Sequence, residues 1–89
     1  MVEVSFSSLF KCAFKKRIQR NVDLETRFWQ KLEQFTANPF DEGLKTHKLS
    51  GKLKNLWSFS VDYDDRVVFY FTDDGDVVFV DIGSHDEVY

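Results

Sequence analysis

A single cysteine, Cys12, among 89 residues rules out an internal disulfide framework and any cysteine-based zinc cluster. Proline is almost missing too. Pro39 stands alone, and together with Gly43, Gly51 and Gly75 it falls between periodic segments, where turns belong. Gly83 is the one glycine outside that pattern. No apolar run approaches the roughly 20 residues of a membrane-spanning helix. Residues 1–14 lack a basic start followed by an apolar stretch, so no signal peptide is expected and the expected compartment is the cytoplasm. The chain has no P-loop, no Gly-rich nucleotide loop and no His-Glu-x-x-His. No serine sits in a Gly-x-Ser-x-Gly elbow, which argues against a Ser-His-Asp hydrolase. Repeats and low-complexity tracts are absent.

What is present is apolar and aromatic. Hydrophobic residues make up 43% of the chain and aromatics 17%, ten of them Phe, which is too rich for a disordered segment. A chain this short buries only about 60% of the surface its unfolded form exposes, so it makes one core. Residues 1–89 are therefore read as a single domain. The net charge of −3 argues against a surface that is basic throughout. It also hides an asymmetry. Residues 1–55 hold eleven Lys/Arg against six Asp/Glu, whereas residues 56–89 hold Arg66 alone against nine acids. Such a dipolar domain can offer a basic face to a polyanion and an acidic face elsewhere; chance segregation on a solvated surface is the simpler alternative.

Val2, Val4 and Phe6 alternate with Glu3 and Ser5, which predicts a short strand. Ser7 or Ser8 can cap a helix carrying Leu9, Phe10, Ala13, Phe14 and Ile18 at helical spacing. Asp23 is expected to cap a second helix, whose apolar face is Leu24, Phe28, Leu32 and Phe35, widened by Trp29. Asn38-Pro39 ends it, because the residue before proline avoids helical geometry. The short connection suggests an antiparallel helical hairpin. Residues 40–55 read as a polar loop, with a short strand around residues 50–53. Trp57, Phe59 and Val61 alternate with Ser58, Ser60 and Asp62 in a strand. As alternating residues, Trp57 and Phe59 read as core before they read as a stacking surface for bases. A turn at Tyr63-Asp64-Asp65 leads to an apolar run at 66–71. Asp-Gly in the stretch 72–76 signals a hairpin into a further run at 77–82. Apolar residues at successive positions indicate strands covered on both faces. The expected class is α+β in the order β-α-α-β-β-β: a helical hairpin on one face of a mainly antiparallel four-stranded sheet. The first strand joins that sheet at a place its own sequence does not define.

The acidic turn Asp73-Asp74-Gly75-Asp76 lacks the spacing and closing Glu of a calcium loop and reads as a solvated hairpin tip. The two histidines are more informative. His47 lies in a loop with Lys45, Lys48, Lys52 and Lys54, and His85 follows the last strand. Imidazole gives or takes a proton near neutrality. Metal-free RNA cleavage needs a base for the 2′-OH, an acid for the leaving 5′ oxygen and cations for the phosphate, which two His beside Lys or Arg supply. Two His 38 positions apart prove nothing by themselves, and on spacing alone purely structural roles are the simpler reading.

Four stretches carry a resemblance: Thr46-His47-Lys48-Leu49-Ser50-Gly51-Lys52-Leu53; Leu56-Trp57-Ser58-Phe59; Tyr63-Asp64-Asp65-Arg66-Val67-Val68-Phe69; and Asp81-Ile82-Gly83-Ser84-His85-Asp86-Glu87-Val88-Tyr89. With the element order, they resemble the RelE/ParE toxin superfamily over essentially the whole chain. The ending Gly-Ser-His-x-x-x-Tyr resembles its YafQ-like branch. The resemblance implies the toxin of a type II toxin–antitoxin pair, a ribosome-dependent mRNA endonuclease that needs no metal or cofactor. Its partners would be a cognate antitoxin and mRNA in the ribosomal A site, with no membrane involved.

Residue by residue, the resemblance makes His85 the foremost acid–base candidate and gives His47 acid–base or phosphate work. Tyr89 would stack on or orient a base, and Asp64 would orient or act as a base. Arg66 is either a structural ion-pair partner for Asp64 or Asp81 or a ligand for phosphate. Lys48, Lys52 and Lys54 can hold RNA backbone or simply serve solubility. Three positions depart from the YafQ-like pattern: Ser60 replaces a His, Asp65 a Trp and Asp81 an Arg. An aspartate repels the phosphate an arginine would clamp. These departures support two alternatives, a RelE-fold binding module with weakened catalysis that engages an antitoxin or other protein, and a ParE-like gyrase inhibitor. Gly83 would turn the chain so that His85 reaches the cleft.

Overall fold

The computed structural model describes residues 2–49 and 55–84. Strand β1 (Val4–Phe6) leads into helix α1 (Ser8–Arg20) and helix α2 (Val22–Ala37). A 3₁₀ turn (Glu42–Leu44) and strands β2 (His47–Lys48), β3 (Trp57–Ser60), β4 (Asp65–Phe71) and β5 (Val77–Ser84) follow. The sheet has five strands in the order β1-β5-β4-β3-β2. Strands β2 to β5 are antiparallel neighbours, and β1 lies parallel to β5 with Val4 opposite Val77.

One expectation needs correction here. The sheet has five strands, not four; it is mainly antiparallel as expected, with β1 parallel to β5. The basic loop carries a short strand at His47–Lys48, and the strand expected around 50–53 lies outside the described residues. Strand β2 pairs His47 with Ser58 and Lys48 with Trp57. A two-residue strand has no alternation to read, so its pairing is decided by β3.

The helix starts follow local chemistry. Ser7 caps α1, its Oγ accepting from the Phe10 backbone N–H at 3.0 Å. Helix α2 begins two residues earlier than expected. Asn21 occupies the cap position without a side-chain bond, and Asp23 lies inside the first turn, where its charge favours the positive end of the helix dipole. Asn21 alone connects the helices. Phe14 and Phe28, seven residues to either side of it, meet with ring centroids 4.6 Å apart, so the pair folds back as a hairpin.

That hairpin covers one face of the sheet. Phe10, Leu24, Phe28 and Phe35 pack there with Phe59, Val67, Phe69, Val77, Phe79 and Ile82. All ten Phe join one continuous set of ring contacts, running from Phe6 through Phe79 and Phe35 to Phe71 and Phe40. Trp57 packs against Phe40 and Phe71, and Phe59 is fully buried, so both are core residues. The opposite face is covered only in part. Leu49 and Leu56 pack there on Val68 and Val80. Val80 is an extra residue in β5, because Val68 pairs with Asp81 while Phe69 pairs with Phe79. Toward the other end of β3 and β4 this face turns polar.

Candidate active site

Strand alternation sorts the side chains. Trp57 and Phe59 face the helices, so Ser58 and Ser60 face away. Ser60 is opposite Arg66, and Arg66 is opposite Gly83. His47, opposite Ser58, shares this polar face, while Lys48, opposite Trp57, lies on the other side of β2. The register therefore lines up Ser60, Arg66 and Gly83 across β3, β4 and β5, with His47 on the same face in the adjacent row, opposite Ser58. From β2 to β5 is three strand spacings, about 14 Å.

Arg66 is the central cation. Its Nη1 donates to Ser60 Oγ at 2.5 Å and to the Asp62 carbonyl at 3.3 Å. Among the described residues it makes no salt bridge with Asp64, Asp81 or any other acid. A cleft of about 260 Å³ opens beside it, lined by Lys31, Lys45, Ser60, Asp62, Tyr63 and Arg66 among others. Three cations thus reach one cavity in a chain of net charge −3. Lys45 holds a left-handed conformation (φ 53°) at the end of the 3₁₀ turn, and Lys31 Nζ donates to the Gly43 carbonyl at 3.3 Å. His47 Nδ1 lies 3.1 Å from the Lys45 carbonyl. A carbonyl only accepts, so Nδ1 carries the proton there, and in the neutral ring Nε2 is the basic nitrogen.

Asp62 organises the loop between β3 and β4. Its Oδ1 accepts from the backbone N–H groups of Asp64 (3.1 Å) and Asp65 (2.9 Å), and its Oδ2 pairs with Arg27 at 3.1 Å. Partial burial alone would raise its pKa. The Asp65 N–H and carboxyl, Arg27 and the Asp64 N–H outweigh that and hold it below the ordinary carboxylate value. Asp65 points the other way, beneath the helices. Its Oδ1 accepts from Arg17 Nε at 2.8 Å and Nη2 at 2.6 Å. Burial first, then the neighbouring Asp62 carboxyl, push its pKa up against the pull of Arg17.

The sequence-level candidates separate accordingly. Arg66 and His47 come to one face, joined by Ser60. Asp64 is exposed in the loop and does not line the cleft, and Lys48 lies on the opposite side of the sheet. His85, Tyr89, Lys52 and Lys54 lie outside the described residues. Of the departures, Ser60 supplies the oxygen that holds Arg66. Asp65 is a helix-anchoring carboxylate turned away from the cleft. Asp81 sits at the β5 bulge, its Oδ1 accepting from the Ile82 N–H at 2.8 Å, in a separate cleft with Lys16, Arg17 and Arg20. Sequence reasoning missed Lys31 and Tyr63. Lys31 lies on α2, whose periodicity says only that it is off the apolar face, and Tyr63 reads as an ordinary turn residue. No cluster of three or more His, Cys, Asp or Glu suited to a metal occurs among the described residues.

No family model matches the chain, and a search of curated proteins yields no match. Solved structures do match. A copper-bound mutant toxin from Helicobacter pylori is 22% identical, with all of both chains covered and a TM-score of 0.78. YafQ in the E. coli DinJ–YafQ toxin–antitoxin complex is 19% identical over 99% of this chain and 97% of that one, with a TM-score of 0.72. A YoeB/ParE toxin from Agrobacterium tumefaciens is 13% identical over 94% and 99%, with a TM-score of 0.76. Identities this low speak for architecture: two helices on one face of a mixed sheet, with the last strand inside it, is the fold of the RelE/ParE toxins, YafQ among them, and this chain has it.

Proposed function

We propose that this protein is the toxin of a type II toxin–antitoxin pair and acts as a metal-independent endoribonuclease on mRNA in the ribosome. The observation that carries the reading is Arg66: a cation without an acidic partner among the described residues, fixed by Ser60 and the Asp62 carbonyl beside Lys31 and Lys45. A guanidinium held this way suits a phosphate that gains charge in a transition state.

In this mechanism a base removes the 2′-OH proton and the 2′ oxygen attacks the adjacent phosphorus. The bond to the 5′ oxygen breaks, and an acid protonates that oxygen. The products are a 2′,3′-cyclic phosphate and a 5′-OH, with no water consumed. His47 and His85 exchange these two protons, Arg66 and the cleft lysines carry the phosphorane charge, and Tyr89 holds a base. Asp64 orients from the loop, and Lys48, Lys52 and Lys54 hold RNA outside the cleft. A cognate antitoxin silences the protein by covering this face, and the pair works in the cytoplasm.

The test is cleavage of a translated mRNA by purified protein, with and without ribosomes, beside His85→Ala and Arg66→Ala. Cleavage only on ribosomes, reduced by about 100-fold or more in either folded variant, is expected, since one positioned acid–base group contributes about 10²–10⁴-fold and one donor to transition-state charge about 10²–10³-fold. Full activity in folded His85→Ala overturns the role of His85. No cleavage by the folded, antitoxin-free protein favours a second reading, a binding module of the same fold, for which Asp81 in place of a phosphate-clamping arginine speaks.

A further inference from the structure

Tyr63 is 97% exposed, more than any other large apolar or aromatic residue among those described. A solvent-facing aromatic ring is common enough alone. This one lines the cleft that holds Lys31, Lys45 and Arg66. Its backbone is also fixed, because the Asp62 carboxylate binds the N–H groups of Asp64 and Asp65 just beyond it, and Arg66 Nη1 binds the Asp62 carbonyl just before it. The braced backbone holds the ring at the cleft, so a stacking partner has to order only the Tyr63 side chain and not the loop. Asp62 also lines the cleft, and its carboxylate is paired with Arg27.

We propose that Tyr63 and this cleft form a nucleotide subsite for single-stranded RNA, with a phosphate on Arg66, Lys45 and Lys31 and the neighbouring base stacked on the Tyr63 ring. The proposal rests on the RNA-cleavage reading above and adds a base platform to it. Cations beside an exposed aromatic are the general means of holding a single strand: charge binds the backbone, and the π-face binds a base with little regard to its identity. The substrate side of the assignment is therefore unpaired RNA with weak base preference at this position. A duplex, whose bases are already stacked, is disfavoured.

The test is equilibrium binding of a 2′-O-methyl RNA hexamer, which lacks the attacking hydroxyl and cannot be cut, to the full chain at 50 and 200 mM salt. Tyr63→Ala is expected to bind about tenfold more weakly, or about 1.4 kcal/mol, with an unchanged salt slope, and Tyr63→Phe to bind like the parent. Arg66→Ala is expected to weaken binding and flatten the slope, because it removes a phosphate contact. Circular dichroism confirms that each variant folds. Unchanged affinity in Tyr63→Ala with weakened Arg66→Ala overturns the stacking assignment and leaves the phosphate cleft standing. Loss of salt slope in Tyr63→Ala overturns it too, since the ring would then act by placing a cation. If the parent binds no hexamer at either salt, the subsite is overturned. Cleavage on ribosomes then decides the RNA-cleavage reading separately.

Discussion

Asp65 shows how little a residue type says without its partner. In the chain it is one acid among several in a turn, and against the YafQ-like pattern it is a lost aromatic. In the fold its side chain is 8% exposed and gripped by Arg17, forty-eight positions away. No local signal links the two. Removing one partner of a buried ion pair leaves an uncompensated charge, so Arg17→Ala is expected to destabilise the protein by about 3 kcal/mol in urea unfolding at pH 7. The deficit has a pH signature. A carboxyl whose folded pKa is raised takes up protons on folding, so its contribution to stability grows as pH falls through the folded value and is lost as pH rises. Asp65 is raised already, and loss of Arg17 raises it further. Asp62 has the opposite sign: its contribution, present above the ordinary carboxylate value of about 3.9, is lost only as pH falls through its lowered folded value. As pH falls from 7 toward that ordinary carboxylate value, the Asp62 contribution stays intact, so the Arg17→Ala deficit is expected to shrink through Asp65. A deficit constant over that range would mean that Arg17 acts through packing.

Elements with a strong period were readable, and elements defined by their neighbours were not. Leu24, Phe28, Leu32 and Phe35 announce α2, and Ser7 announces the start of α1 by the same hydroxyl bond that forms. Ser7→Ala removes that bond and is expected to cost about 1 kcal/mol. Asp-Gly likewise marks the β4–β5 hairpin. Gly75 has φ +87°, and a Cβ placed there meets nothing within 4 Å, so Gly75→Ala tests backbone conformation alone, at an expected cost of about 1 kcal/mol. An unchanged melting temperature in either variant would show that the local signal does not stabilise the element it marks. By contrast, three residues of β1 and two of β2 carry too little pattern to choose a partner. Strand β1 lies parallel to β5 with its start tied to α2, the Val2 N–H donating to the Thr36 carbonyl at 3.1 Å, and β2 follows β3. The candidate site divides the same way. Arg66 and His47 stood out as residue types. Their common face depends on the β2–β3–β4 register, which sequence spacing does not give.

At the scale of the whole molecule, the charge asymmetry along the chain is resolved by folding. Lys31 from α2 and Lys45 from the 3₁₀ turn belong to the basic part of the sequence, Arg66 is the lone cation of the acidic part, and all three line one cleft. A second basic group is spent differently. Lys11 and Lys15 are exposed on α1 and line neither this cleft nor the one beside β5. The two pairs separate a local effect from an average one, because Lys31→Ala/Lys45→Ala and Lys11→Ala/Lys15→Ala each lower the net charge by two. For a single strand, each lost phosphate contact reduces the slope of log K against log salt by about 0.7. Lys31 and Lys45 share one phosphate with Arg66, so the cleft pair is expected to flatten the hexamer slope by up to about 0.7, and the α1 pair to leave it near the parent value. Equal flattening by both pairs would mean that the RNA responds to the mean field of the protein and not to a site. Flattening by the α1 pair alone would move the interface to the helical face.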